Sequence, residues 1–171
     1  MTYEAVQIEG ALSITPDDFV VQTLEDEIRV DGLCKQLLYR FYFGQQEQGI
    51  SPQEATALAN SADYFVRDFV VGFKQAHLLA NSAGLVRQFA GNWYIMNTLE
   101  PSIEELQGHL QGIGAFFRYL HREGLVSAES LLQVEDACGA VEYYRERIES
   151  FWAIEGDGYV SWEEECSLKS R

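Results

Sequence analysis

The apolar positions of this chain recur at three- and four-residue steps over most of its length. They do so most regularly from Ser102 to Leu125, where Ile103, Leu106, Leu110, Ile113, Phe117 and Leu120 form one stripe that Phe116 widens. That spacing predicts a helix buried along one face. Pro101 ahead of the run suits a helix start, and Gly124 behind it suits the left-handed residue past a helix end.

The other elements follow from the same reading. Val6, Ile8, Leu12 and Ile14 alternate with polar neighbours, which predicts a short strand or extended arm, paired with Tyr159 to Trp162 as a small terminal β pair. Thr15 ahead of Pro16, Asp17 and Asp18 is a helix-start signal, because a hydroxyl caps free amides and acids favour the positive end of the dipole. A first long helix reaches Gln48 with Leu33, Leu37, Leu38, Phe41 and Tyr42 inward, and Asp31-Gly32 marks a break or cap before it.

Ser51-Pro52-Gln53-Glu54 is the clearest boundary: a cap, a proline at the first position and a glutamate three residues after the cap. From there Leu58, Ala62, Phe65, Val66, Phe69, Val70 and Phe73 keep helical spacing. Lys74 to Gly84 reads as a connection, and a third helix runs from about Leu85 to Thr98 with Val86, Phe89, Trp93 and Met96 inward. After Ser127, the run Leu131, Val134, Ala137, Val141, Tyr144, Ile148 and Phe151 predicts one long helix to about Ala153, followed by an acidic tail over 154–171. The expectation is an all-α, single-domain helical bundle of about five helices, its core spanning about 16–153, with a short terminal β pair.

Composition adds partners to exclude. In 171 residues, 47% hydrophobic and 13% aromatic, there is material for one core. Twelve Lys and Arg against 27 Asp and Glu give a formal charge of −15, a mean potential that repels phosphate backbones and anionic lipid. Nucleic acid and membrane are therefore disfavoured partners. No stretch approaches the roughly 20 apolar residues of a membrane span, and the start lacks the pattern of a signal peptide, so a cytoplasmic location is expected. Cys34, Cys138 and Cys166 are odd in number, widely spaced and without a CxxC pair, as reduced thiols would be.

Motifs for chemistry are sparse, and no cofactor is implied. The tail AIEGDGYVSWEE resembles the second half of an EF-hand loop, with Glu155, Asp157, Ser161 and Glu164 as oxygen ligands and Gly158 at the sharp turn, although Ala153 stands where the opening aspartate belongs. His77, His109 and His121 show no zinc or di-iron spacing; Glu105 and His109 are one turn apart and read as a solvated pair. Arg145 and Arg147, among Glu142, Glu146 and Glu149, read as a salt-bridged outer face. Aromatics exceed what one face per helix needs, so Trp93, Tyr94, Phe116, Tyr119, Tyr143 and Trp152 are candidates for an interaction face.

Two segments together resemble the N-terminal, core-binding (SAM-like) helical domain of tyrosine recombinases and phage integrases. GISPQEATALANSADYFVRDF, residues 49–69, is similar to that family's helix opening in Gly-Leu-Ser-Pro and reaching a buried phenylalanine, here Phe65. SIEELQGHLQGIGAFFRYLHREGLV, residues 102–126, is similar to its later helix ending in Phe-Tyr-x-x-Leu and a Glu-Gly turn, here Phe116, Phe117, Leu120, Glu123 and Gly124, and VRQFAGNWYI fits the short helix between. The resemblance covers about residues 35–130 and implies a helical bundle. It departs where the family grips DNA: Gly114 stands where an arginine is common, and no basic residue lies between Ser51 and Phe65. About 40 residues follow the bundle, too few for the recombinase catalytic domain, so strand exchange is not expected.

The leading expectation is a non-enzymatic acidic helical protein that binds another protein or itself. The alternative implied by the resemblance is a DNA-binding bundle using Lys35, Arg40, Arg67, Lys74, Arg87, Arg118 and Arg122; weak calcium binding at the tail is a third reading. The charge also raises nucleic-acid mimicry as a way of occupying a DNA-binding protein.

Overall fold

The structure, a computed structural model, describes residues 13–165. Thr15 caps the first helical turn, as expected. Its N–H and hydroxyl both donate to the Asp18 carboxylate, at 2.7 and 3.0 Å, and the turn they close is a 3-10 turn, Pro16–Phe19, that buries Phe19.

Helix α1, Leu24–Glu47, opens on a second reciprocal cap, in which Thr23 accepts the Asp26 N–H at 3.1 Å and returns its own N–H to the Asp26 carboxylate at 3.0 Å. It passes through Asp31-Gly32 without a break. One helical glycine costs only about 1 kcal/mol, and the buried Val30, Cys34, Leu37, Leu38 and Phe41 on either side outweigh it. Helix α2, Pro52–Asp63, has the predicted Ser51 and Glu54 box and continues directly into a π-helical segment, Tyr64–Phe73. Ala55, Ala59 and Ala62 are buried, which brings its backbone close to a neighbour.

The next rod is composite: α3, Ser82–Gln88, a second π-helical segment, Phe89–Trp93, and α4, Tyr94–Asn97. Helix α5, Ile103–Arg122, is the central element; Ser102 accepts the Glu105 N–H at 3.2 Å, and Gly124 takes the left-handed conformation, φ +77°, beyond its end. It packs against α1 and α2 and against two further helices, α6, Ala128–Gly139, and α7, Val141–Trp152.

Those two were expected as one helix. The chain breaks at Ala140, whose ψ of +42° is not helical, and the Ala137 carbonyl accepts the Tyr144 hydroxyl at 2.6 Å beside a longer contact from the Ala140 N–H at 3.4 Å. A last helix, α8, Tyr159–Glu164, replaces the expected terminal strand, and its proposed pairing partner, the Val6 to Ile8 arm, lies outside the described residues. Trp162 explains the change, since it and Tyr159 face the same side at a three-residue step, a helical and not a strand period. The described residues thus form seven continuous helical rods and no strand, more than the five expected because of the Ala140 break and α8.

Candidate functional site

The two π-helical segments face each other. Wider i to i+5 turns, such as Lys74 N–H to Phe69 carbonyl at 2.8 Å, are rare and recur at functional positions. Here they set Phe69 against Phe89 and Trp93, with ring centroids 5.6 and 5.4 Å apart, and Tyr64 against the same two rings at 5.6 and 5.2 Å. His109 of α5 rests on the edge of this nest, 5.2 Å from Tyr64 and 5.6 Å from Tyr94.

Polar groups close the nest on the α5 side. The Tyr94 hydroxyl donates to Glu105 at 2.8 Å and accepts the Ser102 N–H at 3.2 Å, so it ties the end of the composite rod to the start of α5. Glu105 Oε1 is 4.0 Å from His109 Nε2, while His109 Nδ1 is buried without a hydrogen-bond partner. Burial holds His109 below the ordinary histidine range, against the pull of Glu105, and burial pushes Tyr64 and Tyr94 up. At neutral pH the nest therefore holds a neutral imidazole and two phenols. Their ring faces are packed against other rings, and Glu105 with His109 supplies two metal ligands at most. The expectation of a solvated Glu105–His109 pair needs correction, since His109 is largely enclosed.

Beyond Tyr94 the chain turns outward. Leu99 is 94% exposed in the connection between α4 and α5, and Trp152, at the end of α7, is 58% exposed with its indole N–H donating to the Pro101 carbonyl at 3.3 Å. Val160 is exposed on α8, and the Tyr159 hydroxyl meets the sulfur of the exposed Met96 at 3.2 Å. The α4–α5 connection, the end of α7 and α8 thus together present an apolar patch.

Arg147 holds α8 there. It is 5% exposed, not on an outer face as its sequence neighbours suggest, and it donates through Nε to the Gly91 carbonyl at 3.0 Å and through Nη1 to the Trp162 carbonyl at 2.9 Å. Its guanidinium lies 3.9 Å above the Trp162 ring, and the Trp162 indole N–H returns to the Arg147 carbonyl at 3.2 Å and to Ser150 Oγ at 3.0 Å. One buried side chain therefore couples α7, α8 and the second π-helical segment. Arg145 alone keeps the expected ion pair, with Glu142 at 3.4 Å.

Of the expected interaction face, only Trp152 belongs to the patch. Tyr94, Phe116 and Tyr119 are interior, because Phe116 and Tyr119 pack from α5 against Phe41 of α1 and Tyr94 points back into the nest; Trp93 and Tyr143 are half-buried. Met96 was expected on the inward face of the third helix but is exposed because α4 ends one residue later, Tyr159 and Val160 were expected in a strand, and Leu99, a single apolar residue in a turn, carries no periodic signal that could have marked it.

The expected calcium ligands do not converge as an EF-hand requires. The sharp turn has moved to Gly156, φ +62°, while Gly158, φ −64°, starts α8, so Ser161 and Glu164 stand on a helix where a loop is needed. Among the described residues no group of three or more His, Cys, Asp or Glu is placed to hold a metal ion. The seven basic residues do not form one face. Lys35 and Arg67 both meet Asp31, at 3.3 and 2.7 Å, and Arg67 also meets Asp63 at 3.0 Å. Arg118 crosses a groove of about 360 Å³ between α5 and α6 to reach Glu135 at 3.1 Å. Arg40 and Arg122 lie near Tyr119 at the far end of α5, and Lys74 and Arg87 stand on other elements, both half-buried.

No helix of the described residues is long and apolar enough to cross a membrane. No protein-family model matches the chain, and neither a curated protein nor a solved structure matches it.

Proposed function

We propose that this chain is a non-enzymatic interaction module that engages another protein through the patch of Met96, Leu99, Trp152, Tyr159 and Val160. The observation that carries this is the pair Leu99 and Trp152, two large apolar side chains turned to solvent, with the Trp152 indole tied to the carbonyl of Pro101, two residues beyond Leu99. Contiguous exposed apolar surface marks interaction sites, and tryptophan is enriched among residues that dominate binding energy. The Pro101 carbonyl fixes the indole before any partner arrives, which lowers the ordering cost of association.

The alternatives draw less support. Lys35, Arg67 and Arg118 already serve Asp31, Asp63 and Glu135, which weakens a DNA-binding bundle of the recombinase kind, and the tail lacks a calcium loop.

A photoreactive phenylalanine analogue at residue 99, with a second at Gln133 on α6 as control, tests the proposal in the source cells. The expected result is a discrete crosslink from residue 99 alone, to a protein that, once purified, binds this chain at least about tenfold more weakly when Trp152 is alanine. A residue-99 crosslink pattern like that of residue 133, or a partner indifferent to Trp152→Ala, overturns it.

A further inference from the structure

Resting on that reading, we infer that the partner presents a basic segment: apolar side chains for Trp152 and Leu99, flanked by Lys or Arg, and not a second copy of this chain. Three features of the patch point the same way.

The first is its fixed charge. The two stretches that form it, residues 94–105 and 148–165, carry three and six carboxylate residues respectively and no Lys or Arg; the nearest cation, Arg147, is buried beneath α8 and does not reach the surface. Glu100 adjoins Leu99, Glu149 stands one turn before Trp152, and Glu155 and Asp157 occupy the loop between α7 and α8, all of them exposed.

The second is backbone polarity. Two helix ends, α4 at Asn97 and α7 at Trp152, turn their carbonyl termini toward the patch, and neither has a basic residue in its last turn. Such ends carry partial negative charge and are ordinarily met by Lys, Arg or His. Two amino termini are also nearby: that of α5 is already answered by Ser102, Glu104 and Glu105, and that of α8, at Tyr159, has Glu155 and Asp157 in the loop just ahead of it.

The third is the chain's total charge of −15. A symmetric dimer across this patch would set carboxylates against carboxylates within a Debye length of about 8 Å, where repulsion is least screened. A basic segment reverses the sign of every one of these terms and gains steered association as well.

The probes are three fluorescein-labelled peptides of equal length: an amphipathic Leu/Lys helix former, the same pattern in Leu/Glu, and a Lys/Ser peptide with equal charge and no apolar residues. Binding to the intact protein is read by anisotropy across about a tenfold range of salt. The Leu/Lys peptide is expected to bind, with affinity falling as salt rises, and the other two to bind at least about tenfold more weakly. Trp152→Ala and Leu99→Ser, which leave the charge unchanged, should each weaken it about tenfold. Glu155→Gln with Asp157→Asn should weaken it several-fold and flatten the salt dependence, whereas Glu47→Gln with Glu123→Gln, at the opposite end of α5, should not.

Equal binding of the Leu/Glu peptide, equal loss from the distant pair of acids, or a sedimenting dimer abolished by Trp152→Ala overturns the inference. If the protein captured at residue 99 depends on Trp152 but docks through a neutral or acidic segment, the basic-partner inference fails and the interaction reading stands. If neither that capture nor the Leu/Lys peptide depends on Trp152, both fail together.

Discussion

Gly112 of α5 sits so close to Ser61 of α2 that a β-carbon placed on it would meet the Ser61 Cβ at 2.5 Å and the Leu58 carbonyl oxygen at 2.6 Å. Among the described residues α2 and α5 form the most extensive helix pair, and the buried Ala62 backbone N lies in the same approach, 3.3 Å from that β-carbon. Gly112→Ala should therefore push the helices apart and cost about 1–3 kcal/mol, since an opposing carbonyl cannot rotate away as a side chain could. Gly108, one turn earlier, has nothing within 4 Å, so Gly108→Ala should be neutral or stabilising by up to about 1 kcal/mol. Urea denaturation of the two variants, with unchanged m-values, checks the contrast; equal behaviour would mean that α2 and α5 are not held this closely.

Arg147 makes a different kind of demand. A buried guanidinium that serves the Gly91 and Trp162 carbonyls and stacks on an indole has no carboxylate in its hydrogen bonds, so its role is to fasten α8. Arg147→Met should keep much of the packing and lose both charge-assisted bonds, each typically worth about 1.5–3 kcal/mol before relaxation. Arg147→Lys should not restore them, because one ammonium cannot reproduce the separate Nε and Nη1 donors. The measurement is hydrogen exchange resolved to residues 159–164: these amides should lose protection in both variants while α1 and α2 keep theirs. Uniform loss across the chain would show that Arg147 supports the whole fold and not α8 in particular.

What the sequence made legible was the part whose signal is local or periodic. The α5 stripe and the Ser51 box are both, and the structure has both where the residues place them. The π-helical segments were invisible because apolar positions at three- and four-residue steps look the same whether each turn closes at i+4 or i+5. The Ala140 break carries no proline, and the bond beside it, from Tyr144 to the Ala137 carbonyl, is a contact that spacing alone does not reveal. Arg147 misled for a related reason: among glutamates on a helix it reads as solvated, and only α8 folding back covers it. The patch was legible only at Trp152, since exposure of Leu99 or Val160 is a property of the finished surface.

Two of the thiols should be inert in the native state. Cys34, wholly buried on α1, and Cys138, half-buried on α6, are each pushed up to about 12 by burial, so at pH 8 almost no thiolate is present at either. Iodoacetamide labelling followed peptide by peptide should show both modified slowly in the native protein and rapidly in denaturant. Fast native labelling at Cys34 would mean that α1 opens far more readily than its burial implies.

His109 should make stability depend on pH in a defined direction. Its folded pKa lies below the ordinary value of about 6.5, with burial the larger cause and Glu105 opposing it. As pH falls past about 6.5 the unfolded chain takes up this proton while the folded one does not, so stability falls with pH until the folded pKa is reached and levels off below it. Above pH 7 the residue contributes no slope. His109→Phe, which keeps a ring beside Tyr64 and Tyr94, should flatten the wild-type slope below about pH 6.5, and His109→Gln should do the same if the Phe ring proves too large. Glu105→Gln should have the opposite effect: without the carboxylate 4.0 Å away the folded pKa drops further, and the loss of stability extends to lower pH. Guanidinium titrations at half-unit pH steps on the four proteins supply the test. Parallel curves for wild type and His109→Phe would place the imidazole in water and undo the enclosure that the aromatic nest describes.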